Sequence, residues 1–321
     1  MFEVKDNTVH DMETFISMKD AVLKQMKHVI VGKDELVRDM FTALLAEGNI
    51  QLEGIPGVAK TSIAKAFASA IGLEFKRIQF VPDLLPSDII GAYIFQRNST
   101  SFELHKGPIF TNILLADEIN RASPKVQSAL LEAMEEKQVS IEGTSLQLPR
   151  PFMVITTQNP IEVMGTFPLP EAQIDRFMFK LNVEYPTAGE ELEMLKLKDS
   201  ETELPVNKVL TQKDVLSMIQ MVKQVYVDEK AMKYIRDIVL ASRSHEKVLL
   251  GGSPRASISF LKASKAIAAL GGRDFVTPDD IKLIAAKVLN HRLIIKPEYE
   301  LENVTSASVI DDLLKTVPVP V

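Results

Sequence analysis

Asn49-Ile50-Gln51-Leu52, then Gly54-Ile55-Pro56-Gly57-Val58-Ala59-Lys60-Thr61, then Ser62-Ile63-Ala64-Lys65-Ala66-Phe67-Ala68 decide the reading of this chain. An apolar run enters a glycine-containing loop, and a helical run leaves it. That strand, loop and helix order is the setting of a phosphate-binding loop for ATP or GTP. Gly54 and Gly57 let the backbone curl, so that successive N–H groups face phosphate oxygens. The helix N-terminus adds partial positive charge behind them. Lys60 is placed to reach the β- and γ-phosphates, and the Thr61 hydroxyl to ligate Mg²⁺. Pro56, Val58, Ala59 and Ser62 complete the candidate nucleotide cradle. One letter departs from the general pattern G-x-x-x-x-G-K-[ST]: Ala59 stands where glycine is usual. A methyl group at the start of a helix costs little if that residue is in the right-handed helical region.

The chain has 321 residues, enough for two domains. Its 46% hydrophobic and 25% charged content is that of a globular protein. No apolar run is long enough to cross a bilayer, and the first residues do not read as a secretory signal. With no cysteine, disulfides, thiolate metal sites and cysteine nucleophiles are excluded. A cytoplasmic location is the simplest expectation. A formal net charge of −6 argues against a broad nucleic-acid surface. The five histidines are scattered, without metal-ligand spacing.

Short apolar runs at 50–53, 75–80, 112–116, 152–156 and 178–183 alternate with helical stretches. This predicts an α/β fold with a parallel sheet covered on both faces. A break at Tyr185-Pro186-Thr187 predicts a boundary, with 1–185 as the nucleotide-binding domain and 186–321 as a helical domain. Helical spacing follows at 188–198, 211–221, 228–242, 254–270 and 278–287, with loops at 199–207 and 243–253. A short amphipathic helix is expected near 308–316. Met12, Met18 and Met26 lie near helical spacing, as core residues do.

A hydrolysing site needs a magnesium-side carboxylate and a base for water. Ile113-Leu114-Leu115-Ala116-Asp117-Glu118 supplies Asp117 and Glu118 at the end of an apolar strand. Asn159, at the tip of another strand, either orients the same water or forms an Asn-Pro turn with Pro160. Arg176 reads as a surface ion-pair partner or as a guanidinium projecting into a neighbouring subunit's nucleotide. Arg255, after Gly251-Gly252-Ser253-Pro254, reads as a first-turn helix residue or as a group reaching back to the γ-phosphate.

As a set these segments resemble the MoxR family of AAA+ ATPases, over essentially the whole chain. The resemblance rests on the loop with Ala59 before lysine, 116–122, 127–136, 157–160, 167–177 and Ser253-Pro254-Arg255, with 288–293 and 317–320 also similar. It implies a P-loop core with a five-stranded sheet in the order 5-1-4-3-2 and a C-terminal all-α lid. ATP, with Mg²⁺ as cofactor, would lie between subunits of a ring, usually a hexamer. Lys60 and Thr61 would serve as Walker A, Asp117 and Glu118 as Walker B, and Asn159 as the first sensor. Arg176 would be the trans finger, ahead of Arg121 as second candidate, and Arg255 the second sensor. Ile30-Val31-Gly32 resembles the segment flanking adenine. Hairpin insertions are expected near 91–107, set into the second helix with its turn at 97–100, and near 138–149. They either face a pore or partner or close the sheet edge.

The leading expectation is a ring that hydrolyses ATP and remodels or activates other proteins, with a von Willebrand factor A domain protein as the implied partner. A nucleotide switch that scarcely hydrolyses ATP is one alternative. The other is a DNA- or RNA-stimulated motor with a basic pore formed by Lys106, Arg97 and Lys137.

Overall fold

The computed structural model describes residues 11–96, 101–159, 165–199 and 205–320. Pro160, Arg97 and the rest of the 97–100 hairpin turn, together with part of the expected 199–207 loop, lie outside the described residues. The chain opens with helices α1 (Met12–Val29) and α2 (Asp34–Leu45), then strand β1 (Ile50–Glu53), helix α3 (Lys60–Ala70) and strand β2 (Phe75–Gln79). A five-residue helix α4 (Pro86–Ile90) leads into the hairpin β3 (Gly91–Gln96) and β4 (Ser101–Lys106). Strand β5 (Ile113–Asp117), helix α5 (Pro124–Glu136), the hairpin β6 (Gln138–Ile141) and β7 (Thr144–Gln147), and strand β8 (Met153–Gln158) follow. A short helix α6 (Glu171–Ile174) precedes the last sheet strand, β9 (Phe179–Asn182).

Five of these strands make one parallel sheet in the order β2-β5-β8-β1-β9. Counted by chain position and read from the other edge, that is 5-1-4-3-2. β5 is buried at every residue, as a central parallel strand covered on both faces must be. Its period of two splits the core. Ile113 and Leu115 join Ile50, Leu52, Ile155 and Phe179 on the face covered by α1, α2 and α3. Leu114 and Ala116 join Val154, Val126 and Leu130 on the face covered by α4 and α5. Each of the larger side chains among these, fully buried, is worth about 1.5–3 kcal/mol in apolar transfer.

The rest is α7 (Ala188–Asp199), α8 (Gln212–Gln224), α9 (Glu229–Ser244), β10 (Val248–Leu250), α10 (Pro254–Leu270), α11 (Pro278–Leu289), β11 (Ile294–Ile295), α12 (Pro297–Glu300) and α13 (Ser306–Thr316). Its helices start at strong local signals. Thr211 and Asp214 form a capping box, as do Thr277 and Asp280, and Pro254 and Pro278 occupy first helical positions. The region is not all helical as expected. β10, inside the stretch read as a loop, pairs antiparallel with β11, and Val248 and Ile295 are turned into the core. This apolar run is too short to show a strand period.

The helical region shares the first core. Buried residues of α8 to α13 form one continuous apolar cluster with α1, α2, α3 and the sheet. Met26 is fully buried there, with Met12 and Met18 packed at its margin, as their spacing predicts.

Candidate functional site

The C-terminal edge of a parallel sheet is where chain reversals leave a crevice for ligands. Four of the expected residues meet at this edge. β1 runs into the glycine loop, β5 ends at Asp117 with Glu118 next, and Asn159 directly follows β8. The loop is held by close packing. A Cβ on Gly54 would fall 2.5 Å from the Val183 carbonyl oxygen, so no larger residue fits there. Gly57 has φ +87°, a backbone that favours glycine. Val58 is buried and anchors the loop, whereas Pro56, Gly57 and Ser62 are exposed.

Ala59 is not in the right-handed region where its methyl group would cost little. It caps α3 in the left-handed region, at φ 60° and ψ 21°. That geometry explains why the general pattern has glycine at this position: a Cβ there costs about 1–2 kcal/mol. The turn from loop to helix is so sharp that the sequence's alanine is carried against its preference.

The Lys60 ammonium donates to the carbonyl oxygens of Gly54 and Ile55. Burial lowers its pKa from the usual lysine value, opposed by the charges of Asp117, Glu118 and Glu53. Those carboxylates therefore lie close enough to act on it, and the loop and the β5 tip converge.

Glu118 is itself left-handed, at φ 57° and ψ 51°, and caps a single 3-10 turn at Ile119–Arg121. Its N–H donates to the Thr157 hydroxyl at 2.8 Å, and that hydroxyl donates to Asp117 Oδ1. The other Asp117 oxygen accepts from Arg77 Nε and Nη2 at 2.9 and 2.7 Å. The Glu118 carboxylate accepts from Gln79 Nε2 at 2.7 Å and pairs with Arg121 Nε at 3.0 Å. Buried Gln127 donates to the carbonyls of Ile119, Ala122 and Phe167, fixing the turn from behind. Asn159 is buried at the neighbouring strand tip.

Ile30 and Val31 are half-buried between α1 and α2, and Gly32 follows at φ +69°. Glu190 lies against Gly32, and Lys33 Nζ donates to the Glu184 carbonyl at 3.0 Å. A cavity of about 330 Å³ opens nearby, lined by Glu53, Gly54, Ile55, Asn182, Val183 and Tyr185.

Arg176 and Arg255 are elsewhere. Arg176 lies three residues before β9, whose first residue, Phe179, is level with Ile50 at the start of β1. It therefore sits at the N-terminal edge, a full strand of roughly 13 Å from the loop. Its Nη1 pairs with Glu135 Oε2 at 2.8 Å and donates to the Leu131 carbonyl. Arg255 Nη2 pairs with the other oxygen of the same Glu135. The expectation that Arg255 reaches its own subunit's γ-phosphate is corrected here. α5 runs antiparallel to the strands, so its Glu135 lies at the edge remote from Lys60, and Arg255 goes with it.

The residues at the C-terminal edge suit a magnesium nucleotide. Thr61 hydroxyl and Asp117 carboxylate are hard oxygen donors. Among the described residues no cluster of three or more His, Asp or Glu forms a dedicated metal cage. Few protein ligands, with the remainder left to phosphate and water, is the usual arrangement for Mg²⁺.

A family model described as ATPase family associated with various cellular activities (AAA) matches residues 49–179, and an AAA lid domain model matches 240–313. The chain is 42% identical over 305 residues to chaperone MoxR1 of Mycobacterium tuberculosis, covering 92% of this chain and 81% of that protein. It belongs to the MoxR family of AAA+ ATPases. The uncharacterized protein YeaC of Bacillus subtilis is 46% identical, covering 93% of this chain and 94% of the relative. A crystal structure from Cytophaga hutchinsonii that carries an ATPase designation superposes with TM-score 0.91 at 39% identity, over 97% of each chain.

Read as a MoxR-family site, the constellation includes partners that motif reading passed over. Arg77 and Gln79 on β2 grip Asp117 and Glu118. β2 carries no motif of its own, and only alternation along an edge strand hinted that 77 and 79 share a face. Glu135 sits in a helix whose other acidic residues face solvent, so its sequence gave no sign of its two arginines. Of the proposed pore cations, Lys137 is half-buried with its ammonium turned inward. Burial pulls its pKa down to about 8, and its ammonium donates to the Phe152 carbonyl and lies over the Phe152 ring. No described helix is long and apolar enough to cross a membrane.

Proposed function

We propose that this protein is a Mg²⁺-dependent ATP hydrolase that works as a ring of identical copies, usually six, and remodels or activates a partner protein. One observation carries the reading. Lys60, Asp117, Glu118 and Asn159 gather at the C-terminal edge of the sheet, while Arg176 and Arg255 share Glu135 at the opposite edge. A site with its phosphate loop on one side and its arginines on the other is completed by a second copy.

In this reading the loop N–H groups and Lys60 hold the phosphates. The pocket beside Ile30, Val31 and Gly32 takes the base. Thr61 and Asp117 hold Mg²⁺, which when bound neutralises charge on the phosphate oxygens. Glu118 orients water for in-line attack on the γ-phosphorus, and Asn159 helps to fix that water. The departing proton passes to the Glu118 carboxylate, and the bond to the ADP oxygen breaks. Glu118 must first leave Gln79 and Arg121, so its grip is a natural brake on idle hydrolysis. Arg121 is held by Glu118 beside its own chain's loop, whereas Arg176 lies at the opposite edge of the sheet, and that position favours Arg176 as the trans finger.

The same grip is the one observation that favours the nucleotide switch, since a permanently held Glu118 cannot act on water. The nucleic-acid motor loses Lys137 from its pore. A cytoplasmic location and a partner with a von Willebrand factor A domain are part of the proposal. They are supported by the chaperone name of a relative and by family resemblance.

Steady-state phosphate release with Mg-ATP, followed against protein concentration, tests it. Specific activity should rise with concentration in wild type and collapse in Arg176→Ala. A wild-type rate that is flat and equal to that of the variant refutes the shared site.

A further inference from the structure

Arg292 is nearly fully buried at the C-terminal end of α11, yet every direction of its guanidinium is used. Nε donates to Asp175 Oδ1 at 2.7 Å. Nη2 donates to the carbonyls of Asp175 and Phe177 at 2.9 and 2.6 Å, and lies 3.4 Å from the Ser259 hydroxyl. Nη1 donates to the carbonyls of Met178 and Val288 at 3.2 and 2.5 Å. One helical-region side chain thus holds the main chain on both sides of Arg176. The remaining Asp175 oxygen accepts from Ser253 Oγ at 2.7 Å, and Ser253 is the N-cap of α10, two residues before Arg255. His291, half-buried beside it, adds an Nε2 contact of 3.1 Å to the Phe177 carbonyl.

Burying a guanidinium this deeply is costly unless each N–H finds an acceptor. Arg rather than Lys is required, because only a planar five-donor fork serves acceptors in several directions at once. A simple helix-to-sheet contact would be met by apolar packing. Here the charge is spent on the four-residue segment 175–178 that carries one trans arginine, and through Asp175 on the helix start that carries the other.

We propose that Asp175 and Arg292 are positioning residues that bind the helical region to the Arg176 segment, so that Arg176 and Arg255 are presented to the neighbouring copy as one unit. This rests on the reading that these arginines act in trans. A shift of the helical region then moves both arginines in the next subunit's site, which couples successive sites around the ring.

The test uses full-length Asp175→Asn and Ser253→Ala. The second removes only one tie and leaves Arg292 paired, so it decides the matter if the first does not fold. Affinity for a fluorescent, non-hydrolysable ATP analogue with Mg²⁺ should stay within about twofold of wild type, because the loop lies at the other edge. Phosphate release should fall about 10- to 100-fold for Asp175→Asn, the scale of a misplaced catalytic group, and less for Ser253→Ala. Mixing either variant with Glu118→Gln protein, which has intact arginines but no working base, should restore activity. Arg176→Ala mixed with Glu118→Gln is the control. If the control is restored and the two positioning variants are not, their defect lies in their own site and the proposal is wrong. If the control is not restored, the trans reading fails and takes the proposal with it. Wild-type rates in both variants also overturn it.

Discussion

Replacing Ala59 by glycine should make the protein more stable, against the usual direction for introducing glycine into a helix start. Ala59 sits at φ 60° and ψ 21°, where its Cβ crowds the following carbonyl. Relief of that crowding is worth about 1–2 kcal/mol. Glycine gives back roughly 0.4–1 kcal/mol through the greater freedom of the unfolded chain. The residue is exposed, so no packing is lost. The net gain is then about 1 kcal/mol. For 321 residues the unfolding entropy is about 0.7 kcal/mol per kelvin, so Tm rises by roughly 1–2 °C. Calorimetry of the nucleotide-free protein, with a side-by-side Ala59→Val variant, reads this out. Valine is β-branched and tolerates this region worse than alanine, so its Tm should fall. Equal Tm values for all three, or a glycine variant below wild type, would refute the assignment of left-handed strain to this position. The same variant should bind Mg-ATP at least as tightly as wild type, because the loop N–H groups keep their directions.

Gln79→Ala should raise idle phosphate release severalfold in the assembled protein, by removing one of the two donors that hold the Glu118 carboxylate; an unchanged rate shows that Arg121 alone suffices. Thr157→Val deletes a buried hydroxyl that links the Glu118 N–H to Asp117, leaves both groups short of a partner, and should cost about 2–3 kcal/mol, measured by urea denaturation. The buried Asp39 carboxyl is raised by desolvation to about 6, despite Lys287 Nζ 2.6 Å away. Between its ordinary value of 3.8 and about 6 the folded state binds the extra proton, so stability should fall as pH rises through that window, by at most roughly 3 kcal/mol. Asp39→Asn should flatten this part of the stability-versus-pH curve, and an unaltered slope would assign it to other groups.

The sheet was legible in the sequence because its strands are short, apolar and bounded by turn residues, and because parallel strands buried on both faces read as continuous apolar runs. The loop, Asp117 and Glu118 were legible for a different reason: phosphate chemistry fixes residue types at fixed spacing. Three things were not. The left-handed backbone of Ala59 was not legible because a sequence pattern records which residue is tolerated, not the angle at which it is held. Arg255 was sent to its own nucleotide because a helix start shows no sign of which sheet edge it will meet; that is decided by Ser253 on Asp175, 78 positions away. The β10–β11 pair was missed because it joins segments more than forty residues apart, each too short to show a period. Side-chain partners such as Gln79, Glu135 and Arg292 share this origin, since long-range polar contacts leave no local trace.

The continuous core has a consequence for how this chain can be cut. α1 and α2, which come before the loop, lie between the sheet and α8 and α10, so the helical region is built partly on the first thirty-odd described residues. A fragment ended near Tyr185 would lay bare the α2 face that meets α8 and α10, and would strand Asp39 without Lys287. A fragment begun at residue 186 would lose the same wall from the other side. Removing the N-terminal helices should therefore loosen the far end of the sequence first, and limited proteolysis of such a truncation should open sites in α8 and α10 before any in β5. In its folding economy the molecule is closer to a single interlocked body than to a motor with a detachable cap.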